Sequence, residues 1–170
     1  EKVLVTADVF GDGHDEVAAE LLYKKAGQDT WSRKPMKYLV NDRWEAAFVA
    51  EELGTYYYTV RGWIDHFRTW QHDLRKKLDA EQNVTVDLEI GGNFLAGIAE
   101  KASGKDGKEL KNLAEELTKG ETSTELIERA LDEHIAELVD EYEDRSKAVT
   151  YHHELRVEVN RSRALFSTWY

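Results

Sequence analysis

The side chains in this chain that could do chemistry are aromatic rings, carboxylates and a few imidazoles. Trp44, Tyr57, Trp63 and Trp70 are the candidate recognition residues. An exposed Trp or Tyr face can stack on a sugar ring, and it can equally anchor a protein interface. His66 and His72 lie beside Asp65 and Asp73, and the spacing predicts a structural hydrogen-bond network there. His152 and His153 are adjacent in a segment expected to be extended. Alternation then points them to opposite faces, where they cannot chelate one ion together. Gly11-Asp12-Gly13-His14-Asp15 offers oxygen donors without the ligand spacing of a calcium loop, and reads as a surface turn. No metal ligand, cofactor or catalytic residue is assigned.

These residues need elements to hold them. Val3, Val5, Ala7 and Val9 alternate with Leu4, Thr6 and Asp8, and Val17, Ala19, Leu21 and Tyr23 with Ala18, Glu20, Leu22 and Lys24, which predicts two strands. Trp31 and residues 36–39 are expected to form a third short strand, edged by Pro35. Asn41-Asp42 is turn chemistry. Trp44, Ala46 and Phe48 then share one face. After Gly54, Tyr56, Tyr58, Val60 and Ile64 share one face, with Tyr57, Thr59, Arg61 and Trp63 on the other. This pair of strands is expected to be a β-hairpin. Only one face of it can be core, so some of its rings look outward.

From Phe67 the period changes. Phe67, Trp70, Leu74 and Leu78 have helical spacing, which predicts a helix over 67–80. Residues 84–102 fit both periods, and helix is chosen although Gly91 and Gly92 each cost ~1 kcal/mol against Ala. Asp106 with Glu109, and Thr122 with Glu125, resemble capping boxes. Leu126 to Tyr142, with Leu131 in its stripe, is expected to be the longest and clearest helix. Its acidic face (Glu128, Asp132, Glu133, Glu137, Asp140 and Glu141) is expected to be solvated. Leu155, Val157 and Val159 alternate again, and 165–170 are expected to form one more strand. Strands, then helices, then strands imply an insertion. The fold class is α+β: an immunoglobulin-like β-sandwich (1–66 and 147–170) carrying an inserted three- to four-helix bundle (67–146).

Composition bounds the function. The hydrophobic content of 41% supports a core, and no apolar run is long enough for a membrane helix. The start of the chain lacks the pattern of a signal peptide and begins mid-strand, as a piece of a longer protein would. The absence of cysteine excludes a disulfide framework and fits the cytoplasm. A net charge of -11 argues against nucleic acid, whose phosphates a binder must neutralise.

Asn41 to Trp44, then Gly54-x-Tyr56-x-Tyr58-Thr59-Val60-x-Gly62-Trp63-x-Asp65-x-Phe67-x-Thr69-Trp70, then His72-Asp73-Leu74, resemble the N-terminal region of the bacterial alpha-1,4-glucan:maltose-1-phosphate maltosyltransferases. These belong to the alpha-amylase superfamily, glycoside hydrolase family 13. The similarity covers about 3–77 and 154–170, and the middle only loosely. The resemblance implies a β-sandwich N domain with a helical insertion, in front of a (β/α)₈ barrel that moves maltosyl units onto an α-1,4-glucan. Such an enzyme needs two carboxyl groups about 5 Å apart, on a barrel of at least ~200 residues. This chain is too short for that barrel, so none of its acidic residues takes the catalytic roles. The partners the resemblance implies are the enzyme's own barrel and a second subunit in a homodimer. α-Glucan is the further candidate partner.

Overall fold

The computed structural model describes residues 1–160, and among these eight strands and five helices form. The expected strand at 165–170 lies outside the described residues. The chain divides into two units, Glu1–Gly13 with Val17–Ile64 and Ser146 onward, and His14–Glu16 with Asp65–Arg145. Together they make an α+β protein whose sheets are antiparallel.

In the first unit, β1 (Lys2–Asp8), β5 (Arg43–Val49) and β4 (Lys37–Tyr38) form one sheet in the order β1-β5-β4. The second sheet runs β3 (Ser32–Pro35), β2 (Val17–Lys25), β6 (Gly54–Ile64) and β7 (Val149–Thr150), with β8 (Leu155–Val159) also on β6. Period-two patterning gives each sheet an apolar face, and both faces feed one core of Val5, Ala46 and Phe48 with Ala19, Leu21, Tyr56 and Val159. Phe48 of the first sheet stacks on Tyr23 of the second, centroids 4.6 Å apart. Full burial of such a ring contributes about 1.5–3 kcal/mol.

Two strand expectations are corrected. β5 and β6 are not a hairpin. They lie in different sheets, and the Ala50–Leu53 connection carries the chain across the core. Phe48 meets Tyr56 and Tyr58 across that core, with tilted rings and centroids 6.0 and 6.1 Å apart, not side by side within one sheet. The expected third strand is also two. β3 pairs with β2 and β4 with β5, with buried Met36 at the crossing. β4 and β5 do form a hairpin. Asn41 and Asp42 turn it at φ 51° and 59°, a left-handed pair that Asn and Asp tolerate better than bulkier residues.

The second unit holds α1 (His66–Asp79), α2 (Thr85–Ala99), α3 (Gly104–Thr118), α4 (Thr124–Ala130) and α5 (Glu133–Tyr142). Its core is Phe67, Leu74, Leu88, Leu95, Leu110, Leu113, Leu117 and Val139, all but unexposed. The ambiguous 84–102 stretch is helical. Its glycines have a packing reason: a Cβ on Gly91 would meet the Trp70 ring at 2.1 Å, and one on Gly92 would meet the Ala114 carbonyl at 2.9 Å.

The expected long helix from Leu126 to Tyr142 is two helices. α4 has 7 residues and α5 has 10, against 15 each for α2 and α3. Asp132 makes the break, since its carboxylate accepts from the His134 amide at 2.9 Å and starts α5 afresh. Gln71 and Arg75 of α1 donate to the Ala130 and Leu131 carbonyls at 3.0 and 2.9 Å, so the end of α4 is satisfied. The helices therefore number five rather than three or four. Both capping boxes are corrected as well. α3 begins at Gly104, inside which Asp106 accepts from the Tyr142 hydroxyl, and α4 is capped by Ser123 onto the Leu126 amide.

Candidate functional site

The four singled-out aromatics do not converge. Trp44 is half-buried on β5, with its ring edge-on to Tyr38 and its Nε1 donating to the Val9 carbonyl at 3.0 Å. Both contacts hold it against the sheet core. Tyr57 and Trp63 lie on the face of β6 away from Tyr56 and Tyr58, as alternation requires. Opposite Tyr57 in the ladders are Lys24 of β2 and Arg156 of β8, whose charges go to the Trp31 ring and to Glu158. Trp63 lies opposite Ala18. Trp70 belongs to the helical unit. It stacks on Phe67 at 5.3 Å, donates to the Asp87 carbonyl at 2.8 Å, and is packed on the Cα of Gly91. That indole is a packing element.

The outer face of the second sheet carries a cross-strand ion pair, Glu20 with Arg61, in direct register between β2 and β6. Glu20 is buried there, and its carboxylate accepts from Arg61 Nε at 2.7 Å. Thr59, also buried, donates to the Tyr151 carbonyl. Between β1 and β6–β8 lies a groove of about 930 Å³, lined by Val5, Val9, Tyr58, Val60, Trp63 and Leu155 among others.

In the helical unit the chemistry collects around Asp65 rather than the imidazoles. Asp65 is 2% exposed and caps α1 by accepting from the Arg68 amide at 2.8 Å. The Arg68 guanidinium is 3.2 Å from the same carboxylate, makes a two-pronged bond to Glu133 at 2.8 and 2.7 Å, and is 3.6 Å from Asp140. Arg145 continues the chain to Asp140 and Glu143. Burial pushes the Asp65 carboxyl up to about 6, against the pull of the Arg68 amide, with Asp140 adding to the rise. Glu133 moves the other way, held low by its bond from Arg68. The acidic face of α5 is thus partly consumed inside the unit. His72 pairs separately with Glu16, 3.5 Å away.

Arg68 and Gln71 were missed by sequence reasoning, though both left a signal. Arg68 stands three residues after an N-cap Asp. Gln71 is the one polar residue four positions on from Phe67, inside the apolar stripe. The expectation for His152 and His153 is corrected: their rings are 4.0 Å apart, because the chain bends at His152 instead of running extended. No group of three or more His, Cys, Asp or Glu suited to a metal ion occurs among the described residues.

The arrangement offers packing faces and ion networks that support a fold. Residues 1–161 match the family model described as "Alpha-1,4-glucan:maltose-1-phosphate maltosyltransferase, domain N/S". The maltosyltransferase of Chlorobaculum tepidum is 39% identical over 170 residues, covering 100% of this chain and 25% of that protein. Those of Myxococcus xanthus and Methylacidiphilum infernorum are 36% and 34% identical, each over 100% of this chain and 27% and 25% of their own lengths. The chain thus spans about a quarter of the curated relatives it matches. It belongs to the alpha-1,4-glucan:maltose-1-phosphate maltosyltransferase family, as its N-terminal domain N/S.

Proposed function

We propose that this chain is the non-catalytic front of a maltosyltransferase, an immunoglobulin-like β-sandwich with a helical insertion. The longer enzyme transfers maltosyl from maltose 1-phosphate to an α-1,4-glucan, and this part scaffolds the catalytic barrel and contributes to a homodimer. The observation that carries the reading is the match of 1–161 to the domain N/S family, at about a quarter of the relatives' length. Two antiparallel sheets sharing one apolar core support the sandwich. The outward-facing Tyr57 and Trp63 favour a second reading, a glucan-binding module of an alpha-amylase-like enzyme.

We propose the cytoplasm as the compartment, since a cysteine-free chain needs no oxidising environment to fold. No helix among the described residues is long and apolar enough to cross a membrane. The net charge of -11 suits a protein or neutral-glucan partner better than nucleic acid.

The test is phosphate release from maltose 1-phosphate with glycogen as acceptor. The 170-residue chain should give none, and the longer parent protein should give turnover. Turnover by the isolated chain refutes a non-catalytic role, and an inactive parent refutes the family's activity for this protein.

A further inference from the structure

Most sheet edges of the first unit are blunted. β3 carries Pro35 with Arg33 and Lys34, and β4 and β7 are 2 residues long each. β8 has 5 residues, among them the paired Arg156 and Glu158. β1 differs: it has 7 residues, no proline, and no strand on its outer side among the described residues. An edge of that kind is a template for one more strand. Glu1 and Ala50 exchange both backbone bonds, at 2.8 and 2.7 Å. Bonded pairs alternate along an antiparallel ladder. Val3, Val5 and Ala7 therefore direct their amides at β5, and Lys2, Leu4, Thr6 and Asp8 direct theirs outward.

We propose that the outer edge of β1 pairs antiparallel with β1 of a second copy of this chain, about a two-fold axis at Val5. The inference rests on the homodimer reading and names its surface. The first argument is that the strand is complementary to itself. Outward amides must meet outward amides, so even-numbered residues pair with even-numbered ones. The register centred on Val5 uses the whole strand. Lys2 of each copy then lies opposite Asp8 of the other, and Leu4 opposite Thr6. All four are exposed. Asp8 has room for a second cation besides Arg43, 3.5 Å away, since its side chain is 64% exposed. Opposite charges across a ladder stabilise it and fix its register. Registers shifted by two residues break both charge pairs. The second argument is packing. Leu4, 58% exposed, reaches the other Leu4 diagonally across the axis. On the inner side, the second copy continues the apolar face beyond β1, beside the 930 Å³ groove that Val5, Ala7, Val9 and Val60 line. The third is charge placement. Acidic residues concentrate in the helical unit, while the charges of the first unit nearly balance, so pairing through β1 avoids most of the repulsion.

Sedimentation of the 170-residue chain should show a dimer at high micromolar protein. Thr6→Pro removes one outward amide and no bond to β5, a change an edge strand tolerates. It should weaken association about tenfold or more, through one ladder bond lost per copy, with the far-ultraviolet circular dichroism unchanged. Cross-linking reads the register, because the chain has no cysteine of its own. A mixture of Leu4→Cys and Thr6→Cys chains should form a disulfide-linked dimer on mild oxidation, since directly opposite Cα atoms ~5.5 Å apart suit a disulfide. Either variant alone should not, its cysteines being diagonal. A dimer that persists in Thr6→Pro, or a mixture that fails to cross-link, overturns the β1 surface and leaves the homodimer reading standing. A monomeric 170-residue chain overturns the surface too. The longer parent protein then decides the homodimer reading, which fails if the parent is also monomeric. If Thr6→Pro does not fold, the cross-link alone decides.

Discussion

Two residues show how burial and spacing set energetics here. Asp65 is nearly unexposed, and its carboxyl is raised to about 6. The folded state therefore holds the proton more tightly than the unfolded chain. In the window from about 4 to about 6, the Asp65 contribution to stability is greatest at the acid end and falls as pH rises, then stays level. The swing is at most about 3 kcal/mol for roughly two units. Glu133 has the opposite sign, so the whole protein's profile is a sum. The readout is the difference between wild type and Asp65→Asn, which keeps the N-cap acceptor. That difference in melting temperature should move against the wild type between pH 4 and 6.5 and level off above; a flat difference would mean Asp65 is not strained by burial. Gly92 makes the second case. In an exposed helix, Gly→Ala gains up to ~1 kcal/mol. Here the new methyl meets Thr118, the Ala114 carbonyl and Leu117 within 3.0 Å. Gly92→Ala should instead cost about 1–3 kcal/mol by overpacking α2 against α3, read by urea denaturation. Stabilisation would mean the two helices are further apart than described.

At the scale of elements, the α4–α5 break is the sharpest prediction. Gln71 is buried at 2% exposure and reaches the Ala130 carbonyl. Gln71→Leu leaves that carbonyl unpaired and should cost about 1–3 kcal/mol. Asp132→Ala should cost about 1 kcal/mol as a lost cap, and the two losses should not add, since both serve the same break. Additive losses in a double-mutant cycle would separate them. This break also shows what the sequence could disclose. The stripe from Leu126 to Tyr142 runs through the kink without a gap, because Ala130 and Leu131 keep the helical period. Asp132 falls by pattern on a solvated face, whereas its side chain starts α5 by capping the His134 amide. Leu131, in the expected stripe, is only half-buried at the cap, whereas Ala130 beside it is fully buried. Strand identities were legible for the same reason helices were, through the periods of Val3–Val9 and Tyr56–Val60. Pairing was not. Period two fixes which face of β5 is apolar and says nothing about whether its neighbour is β6 beside it or β6 across the core. The inner rings, Tyr56 and Tyr58, and the outer ones, Tyr57 and Trp63, followed from alternation. The far partners of the Asp65–Arg68 pair, Glu133, Asp140 and Arg145, did not, because contacts that span 65 to 145 have no local signature.

At the scale of the whole chain, the competing roles of the outward aromatics predict different solution behaviour. A chain with a net charge of -11 repels its own copies. Association despite that repulsion requires a specific, self-complementary surface of the kind a two-fold dimer uses. A glucan platform on Tyr57 and Trp63 would instead give weak binding insensitive to salt, since a neutral sugar carries no charge to screen. The scaffold reading therefore predicts association in sedimentation at high micromolar protein, strengthening as salt screens the repulsion. It also predicts no saturable quenching of Trp fluorescence by millimolar maltoheptaose. Trp44→Ala removes a ring fixed to Tyr38 and the Val9 carbonyl, and should cost about 3 kcal/mol of stability, lowering the melting temperature with no sugar effect to lose. Trp63→Ala separates the readings more directly. Under the scaffold reading it weakens association or stability first. A strictly monomeric chain whose fluorescence saturates with maltoheptaose, and loses that response in Trp63→Ala while keeping its melting temperature, would make this face a sugar-binding surface.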